Sequence, residues 1–242
     1  MGIYDRDYIQ NDNISSATVS SFASKVYGWM TVGLLVTAFV AFGIYVTGAY
    51  VALMPLWWVS LIGTLVISFS MAGLANKISS RALSILFISY SAMQGVIFGI
   101  ILPSYAFAYG GDVIWLTFFT AALIFGIATF YGVYTHNDLT NIGRLLNLAL
   151  VGLVAVTFLF IIMSSFMDLT WFHLIISYIG LIIFVGLTAF DAQNIRSMSA
   201  QIGNNTNGEA ALKMSIFMAL KMYINVIMIF WYLLRILSSN RK

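Results

Sequence analysis

The chain has 242 residues, 61% of them hydrophobic and 8% charged, with a net charge of +3 and a mean hydropathy of +0.96. Several uncharged stretches approach 20 residues, the length at which an α-helix crosses a hydrocarbon core of roughly 30 Å. That excludes a soluble globular domain, and the lack of ~10-residue alternating segments excludes a transmembrane β-barrel. There is no cysteine, so disulfides, thiolate nucleophiles and thiolate metal ligands are excluded as well.

Residues 1–25 form a polar N-terminal tail, with Asp5, Arg6, Asp7 and Asp12 ahead of the first apolar run. No small-residue cleavage pattern follows that run, so a removed signal peptide is not expected. The tail reads as cytoplasmic and disordered or lightly attached to the surface.

Seven apolar runs follow: Val26–Val46, Leu56–Leu74, Leu83–Leu102, Val113–Tyr134, Leu145–Phe166, Trp171–Phe190 and Leu212–Leu237. They predict one all-α transmembrane domain over 26–237, followed by a short basic tail at 238–242. Trp57, Trp58, Trp115 and Trp171 begin their runs, as residues of an interfacial aromatic belt do. In the third run, Gly95 and Gly99 form a GxxxG that favours close helix packing, and Pro103 is expected to end that helix. Tyr109-Gly110-Gly111-Asp112 reads as a turn. The polar stretch Ser197–Ala211 reads as a loop between the last two spans.

Lys and Arg set the topology. Arg6 and Lys25 precede span one, Lys77 and Arg81 lie between two and three, Arg144 between four and five, and Arg196 between six and seven; the other loops have none. The positive-inside rule places the N-terminus and the even loops in the cytoplasm. Arg241 and Lys242 oppose that rule if the seventh run crosses fully; a full crossing is the expectation and a re-entrant segment the alternative. The basic residues report topology, and no nucleic-acid partner is implied.

No nucleophile elbow, carboxylate pair within a helical turn or phosphate-cradling glycine loop is present, so the chain does not read as an enzyme and no cofactor is implied. His136 and His173 lie at opposite ends of their spans without a ligand partner at helical spacing, so neither is expected to bind metal or catalyse. Asn204-Asn205-Thr206 matches a glycosylation acceptor by accident, on a loop predicted to face the cytoplasm.

The residue that stands out is Asp191, a carboxylate closing the sixth run. An ionisable group next to a membrane span is expensive and by default a functional candidate. It reads either as an interfacial carboxylate that caps loop six or pairs with Arg196, or as a gate or ion-site acid facing the seventh span. That span is the most polar, with Lys213, Lys221, Asn225 and Arg235. Lys221 and Asn225 stand four residues apart on one face, which calls for shielding from lipid by the other six helices.

Five ordered blocks add a resemblance: VYGWMTVGLLVTAF at 26–39, SYSAMQGVIFG at 89–99, YGVYTHNDLTNIGRLL at 131–146, YIGLIIFVGLTAFDAQNIR at 178–196 and ALKMYINVIMIFWYLLRIL at 219–237. Together they resemble the bacterial branch of the Bax-inhibitor family. The resemblance implies seven transmembrane helices with the seventh central among the other six, in the bacterial inner membrane. It also implies, in some members, a calcium-permeable, pH-sensitive leak whose sensor is a pair of aspartates. Asp191 matches the first of these, whereas the motif of the second is met here by Met222-Tyr223-Ile224-Asn225, an amide in place of a carboxylate.

Two carboxylates can share a proton and titrate as a coupled pair; an aspartate and an asparagine cannot. The expected site is thus Asp191 with Asn225 or Lys221 as its partner on span seven, through a hydrogen bond or an ion pair. Asp191 is the one candidate ligand for calcium, with a smaller hard-oxygen set than two aspartates would give. The functional expectation is an ion leak or regulator of ion homeostasis, with calcium or protons as the ions and the bilayer as its surroundings. The alternative is a non-conducting membrane protein that binds and modulates a membrane protease or another membrane complex.

Overall fold

Backbone amides in hydrocarbon have no water to bond, so each apolar run must close its own hydrogen bonds, and a helix does this within one segment. The computed structural model describes residues 3–74, 77–163, 170–202 and 208–239, without the side chains of 3–21, 161–162 and 170. Among the described residues there are seven helices and no strand: α1 (Ile3–Val46), α2 (Leu56–Leu74), α3 (Ser80–Tyr109), α4 (Gly111–Tyr134), α5 (Thr140–Met163), α6 (Thr170–Ile202) and α7 (Glu209–Ser239). Each contains a stretch long and apolar enough to cross a membrane. The glycosylation-like Asn204–Thr206 and the terminal Arg241 and Lys242 lie outside the described residues.

Three expectations need correction. Pro103 does not end the third helix but stands inside α3, which continues to Tyr109. One missing N–H is tolerable in a long helix, and the terminator is Gly110, whose φ of 90° suits a residue without Cβ. The loop expected at Ser197–Ala211 is mostly helix, because α6 runs to Ile202 and α7 starts at Glu209. Helices are free to extend past the hydrocarbon, so polarity marks where the apolar stretch stops and not where the helix does. Similarly, α5 begins at Thr140, five residues ahead of the apolar run, and α1 reaches back into the polar N-terminal segment. The seventh run is one continuous helix of 31 residues, about 46 Å long, enough for the full crossing expected of it.

The chain divides into two compact units, one of residues 1–103 and 194–223, the other of 104–193 and 224–242. In the first unit α1 packs on the glycines of α3. A Cβ on Gly95 would stand 2.6 Å from Val40 Cβ, and one on Gly99 2.9 Å from Ile44 Cβ, so the GxxxG does lie at a helix contact. Beside it lies a buried hydroxyl network. Thr37 Oγ1 donates to the Ser91 carbonyl at 2.9 Å and meets the Tyr223 hydroxyl at 2.5 Å. Phe87 and Tyr90 meet the Tyr223 ring edge-on, with centroids 5.9 and 5.6 Å away.

In the second unit α6 is held by close approaches on several sides. A Cβ on Gly132 of α4 would run into the Ala189 carbonyl oxygen. A Cβ on Gly143 of α5 would meet the Phe190 ring, and one on Gly186 would meet Leu146. At the other end of α6, the Tyr232 ring of α7 covers Gly180. Gly132→Ala is expected to lower stability by about 1–3 kcal/mol, because backbone cannot yield as a side-chain tip can. Gly126 of the same helix has open space at its Cβ position, so Gly126→Ala is the matched control and should be neutral. Thermal melts of both variants in detergent check this; equal melting temperatures would contradict the close approach.

Candidate functional site around Asp191

The site stands on the stretch of α6 that those glycines seat. Asp191 is 4% exposed, and its neighbours Leu187, Thr188, Ala189, Ala192 and Ile195 are buried too. It is an internal residue of a helix that runs on to Ile202, so it caps no loop. Of the reading of Asp191 as an interfacial carboxylate that caps loop six or pairs with Arg196, the capping is thereby corrected.

Asn225 of α7, also 4% exposed, donates from Nδ2 to Asp191 Oδ2 at 2.9 Å. Both residues belong to the second unit. The predicted pairing of spans six and seven through these two side chains is therefore present as a buried hydrogen bond. An amide suits this position because it can donate to a carboxylate, or to the carbonyl oxygen of the protonated acid, without bringing a second charge into the interior. Lys221 stands one turn before Asn225 on α7, half-buried, in the part of the helix that belongs to the first unit.

Two residues past Asp191, Gln193 does something the sequence did not announce. Its Oε1 accepts from the Leu139 amide at 2.9 Å, and its Nε2 donates to the Asn137 carbonyl at 2.8 Å. One side-chain amide thus satisfies a donor and an acceptor in the connection between α4 and α5. The available signal was Gln193 beside Asp191 in the block Phe190-Asp191-Ala192-Gln193, but its partners lie more than fifty residues away.

The same connection carries Asp138, whose Oδ1 accepts from the Thr140 amide at 2.9 Å at the start of α5. The Thr140 side chain and backbone N–H, with the Arg144 charge, hold this exposed carboxyl below the usual aspartate range. Among the described residues no three His, Asp or Glu side chains are grouped to hold a metal ion. Asp191 and the Asn225 amide each bring hard oxygen to this site.

The family described as "Inhibitor of apoptosis-promoting Bax1" matches residues 19–242. The chain is 47% identical to a protein of Chlamydia muridarum, covering all of this chain and 99% of that one. It is 35% identical to the inner membrane protein YbhL of Escherichia coli K12, over 93% of this chain and 94% of the relative. With YrjE of Lactococcus lactis it shares 34% identity over 90% of each chain.

Asn225→Leu keeps the branched skeleton of the side chain and removes the donor to Asp191. It is expected to lower stability by about 1–3 kcal/mol, the desolvation cost of a buried polar group that loses its bond. A melting temperature equal to wild type would show that the bond contributes nothing. For Asp138 the depressed carboxyl contributes stability above the ordinary aspartate pKa, and that stability is lost as pH falls through the lower folded value. Asp138→Asn is expected to remove this contribution, so its melting temperature should fall less than that of wild type on acidification. Parallel melting curves against pH would contradict it.

Proposed function

The chain belongs to the Bax-inhibitor family of integral membrane proteins, and from that premise we propose that it is a passive ion leak or regulator of ion homeostasis in the bacterial inner membrane, with calcium as the ion. The inner-membrane assignment follows the E. coli relative, and the cytoplasmic N-terminus follows the distribution of Lys and Arg.

The observation that carries the reading is the Asp191–Asn225 hydrogen bond. A carboxylate that is 4% exposed within apolar helices is expensive to keep. A purely structural link between two helices needs no ionisable group, since an amide or hydroxyl would bond as well. Asp191 is thus the acid of the gate, able to carry a charge or a proton. Asn225 is its fixed partner, and Lys221 is a cation one turn away along α7.

Because Asn225 stands where the family resemblance implies a second aspartate, the site holds one titratable carboxyl. Any response of the proposed leak to pH therefore has one carboxyl, not two, to act through. A coupled pair in its place would bring a second proton.

The test is calcium flux into proteoliposomes of the purified protein, compared across pH for wild type, Asp191→Asn and Asn225→Asp. Wild type is expected to conduct with a shallow pH response, Asp191→Asn to lose that response, and Asn225→Asp to acquire a steeper one. Absence of protein-dependent flux under all conditions would end the leak reading. A wild-type response as steep as that of Asn225→Asp would end the single-carboxyl account.

A further inference from the structure

Gln193 and Asp191 are two residues apart on α6, about 200° around the helix axis, so their side chains leave opposite sides. Asp191 is bonded to α7 through Asn225, and Gln193 to the α4–α5 connection through Leu139 and Asn137. Between them, Ala189 lies against Gly132 and the Phe190 ring against Gly143, which seats the same turn of α6 against α4 and α5.

We propose that Gln193 is a positioning residue that fixes the rotation of α6 and thereby holds Asp191 against Asn225. The inference deepens the leak reading, on which its role in gating rests, by adding a residue that keeps the gate assembled.

The geometry argues for a latch in two ways. First, both ends of the Gln193 amide are matched: its oxygen faces an N–H and its nitrogen faces a carbonyl, so reversing the amide would break both bonds. Leu139 is buried, and its amide at the start of α5 has no carbonyl one turn before it within that helix; Gln193 supplies that acceptor. Second, groups at a radius of about 5 Å from the helix axis move about 2–3 Å when the helix turns by roughly 30°. That displacement takes a hydrogen bond out of range. A rotation that carried Asp191 away from Asn225 would therefore pull Gln193 off the α4–α5 connection at the same time. Tethers on opposite sides of one helix resist rotation in either sense, and the Ala189–Gly132 approach leaves little room to slide instead.

A residue that only tidied the connection between α4 and α5 would behave differently. Its removal would loosen residues 135–139 and leave the Asp191–Asn225 bond as it was. The discriminating readout is therefore the Asn225 side-chain amide itself, followed by nitrogen-15 NMR of the full-length protein in detergent and assigned by its absence in Asn225→Leu.

In Gln193→Leu the Asn225 amide is expected to lose its hydrogen-bonded shift and to exchange with solvent about tenfold faster. In proteoliposomes the same variant should change calcium leak in the same direction as Asn225→Leu. Gln193→Glu keeps the acceptor for the Leu139 amide and loses the donor to Asn137, so a smaller change of the same kind is expected. An unchanged Asn225 amide in folded Gln193→Leu overturns the proposal. Should that variant not fold, an unchanged amide in Gln193→Glu overturns it equally. The NMR readout needs no ion movement, so a protein that moves no calcium ends the leak reading while the latch is still decided by the amide.

Discussion

Without water, a polar group inside these helices is costly unless it finds its partner in the protein, and that constraint arranges much of the structure. Hydroxyls meet it locally. Thr117, Thr157, Thr188, Ser177 and Ser199 each donate to the carbonyl four residues back on their own helix, at 2.6–2.7 Å. Such residues can be carried into hydrocarbon without any contact beyond the helix. A carboxylate cannot satisfy itself this way, because it has no hydrogen to donate to a carbonyl when ionised, and helical amides are already engaged. Asp191 therefore requires a donor from another helix, and Asn225 supplies one. The link between α6 and α7 follows from the chemistry of one side chain.

A long-range bond of 2.9 Å is kept only if the helices are held at fixed separation and rotation. Here that is done by small residues and rings together. Gly132 and Gly143 bring α4 and α5 onto the turn that carries Asp191, while Tyr232 of α7 lies over Gly180 of α6. Phe118 of α4 packs on Phe230 of α7 with centroids 4.5 Å apart, and Phe184 of α6 lies 5.9 Å from Tyr232. Apolar burial alone orients helices poorly in a bilayer, because lipid tails are as apolar as leucine; shape and polar partners have to supply the specificity. In the first unit the same combination recurs, with Gly95 and Gly99 of α3 packed against α1 and the Tyr223–Thr37 hydroxyl pair among aromatic edges.

The spans were legible because hydrocarbon imposes a length and a polarity that single residues display. α2 has the bounds read from the sequence, and each of the seven runs is helix over its described residues. The ends were less legible for a physical reason: hydropathy marks the edge of the apolar stretch, whereas Ser197, Gln201 and Thr140 continue a helix in water as readily as many other residues. Pro103 misled because a proline removes one bond from a ladder of many, and only Gly110 brings a backbone angle that a helix cannot contain. For the site, Asp191 was visible as an acid against an apolar run. Its pairing with Asn225 came through the motif resemblance, since residues 34 apart in the chain share no local pattern. Gln193 was not legible as an anchor, because its partners are backbone groups, and backbone groups leave no mark in a sequence.

The amide at position 225 also bears on how such a site would work. Two aspartates in contact repel when both are ionised, so deprotonation itself would push their helices apart. An aspartate and an asparagine have no such repulsion: Nδ2 can donate to the ionised carboxylate and equally to the carbonyl oxygen of the acid. Protonation then changes the charge of the site without removing the bond that holds α6 to α7. On the proposed reading, a proton would then act through its field on a passing cation rather than by separating the two helices. Opening by helix movement would need a separate trigger that releases the tethers of α6, and the exposed connection between α4 and α5, bound by Gln193, is where one could act.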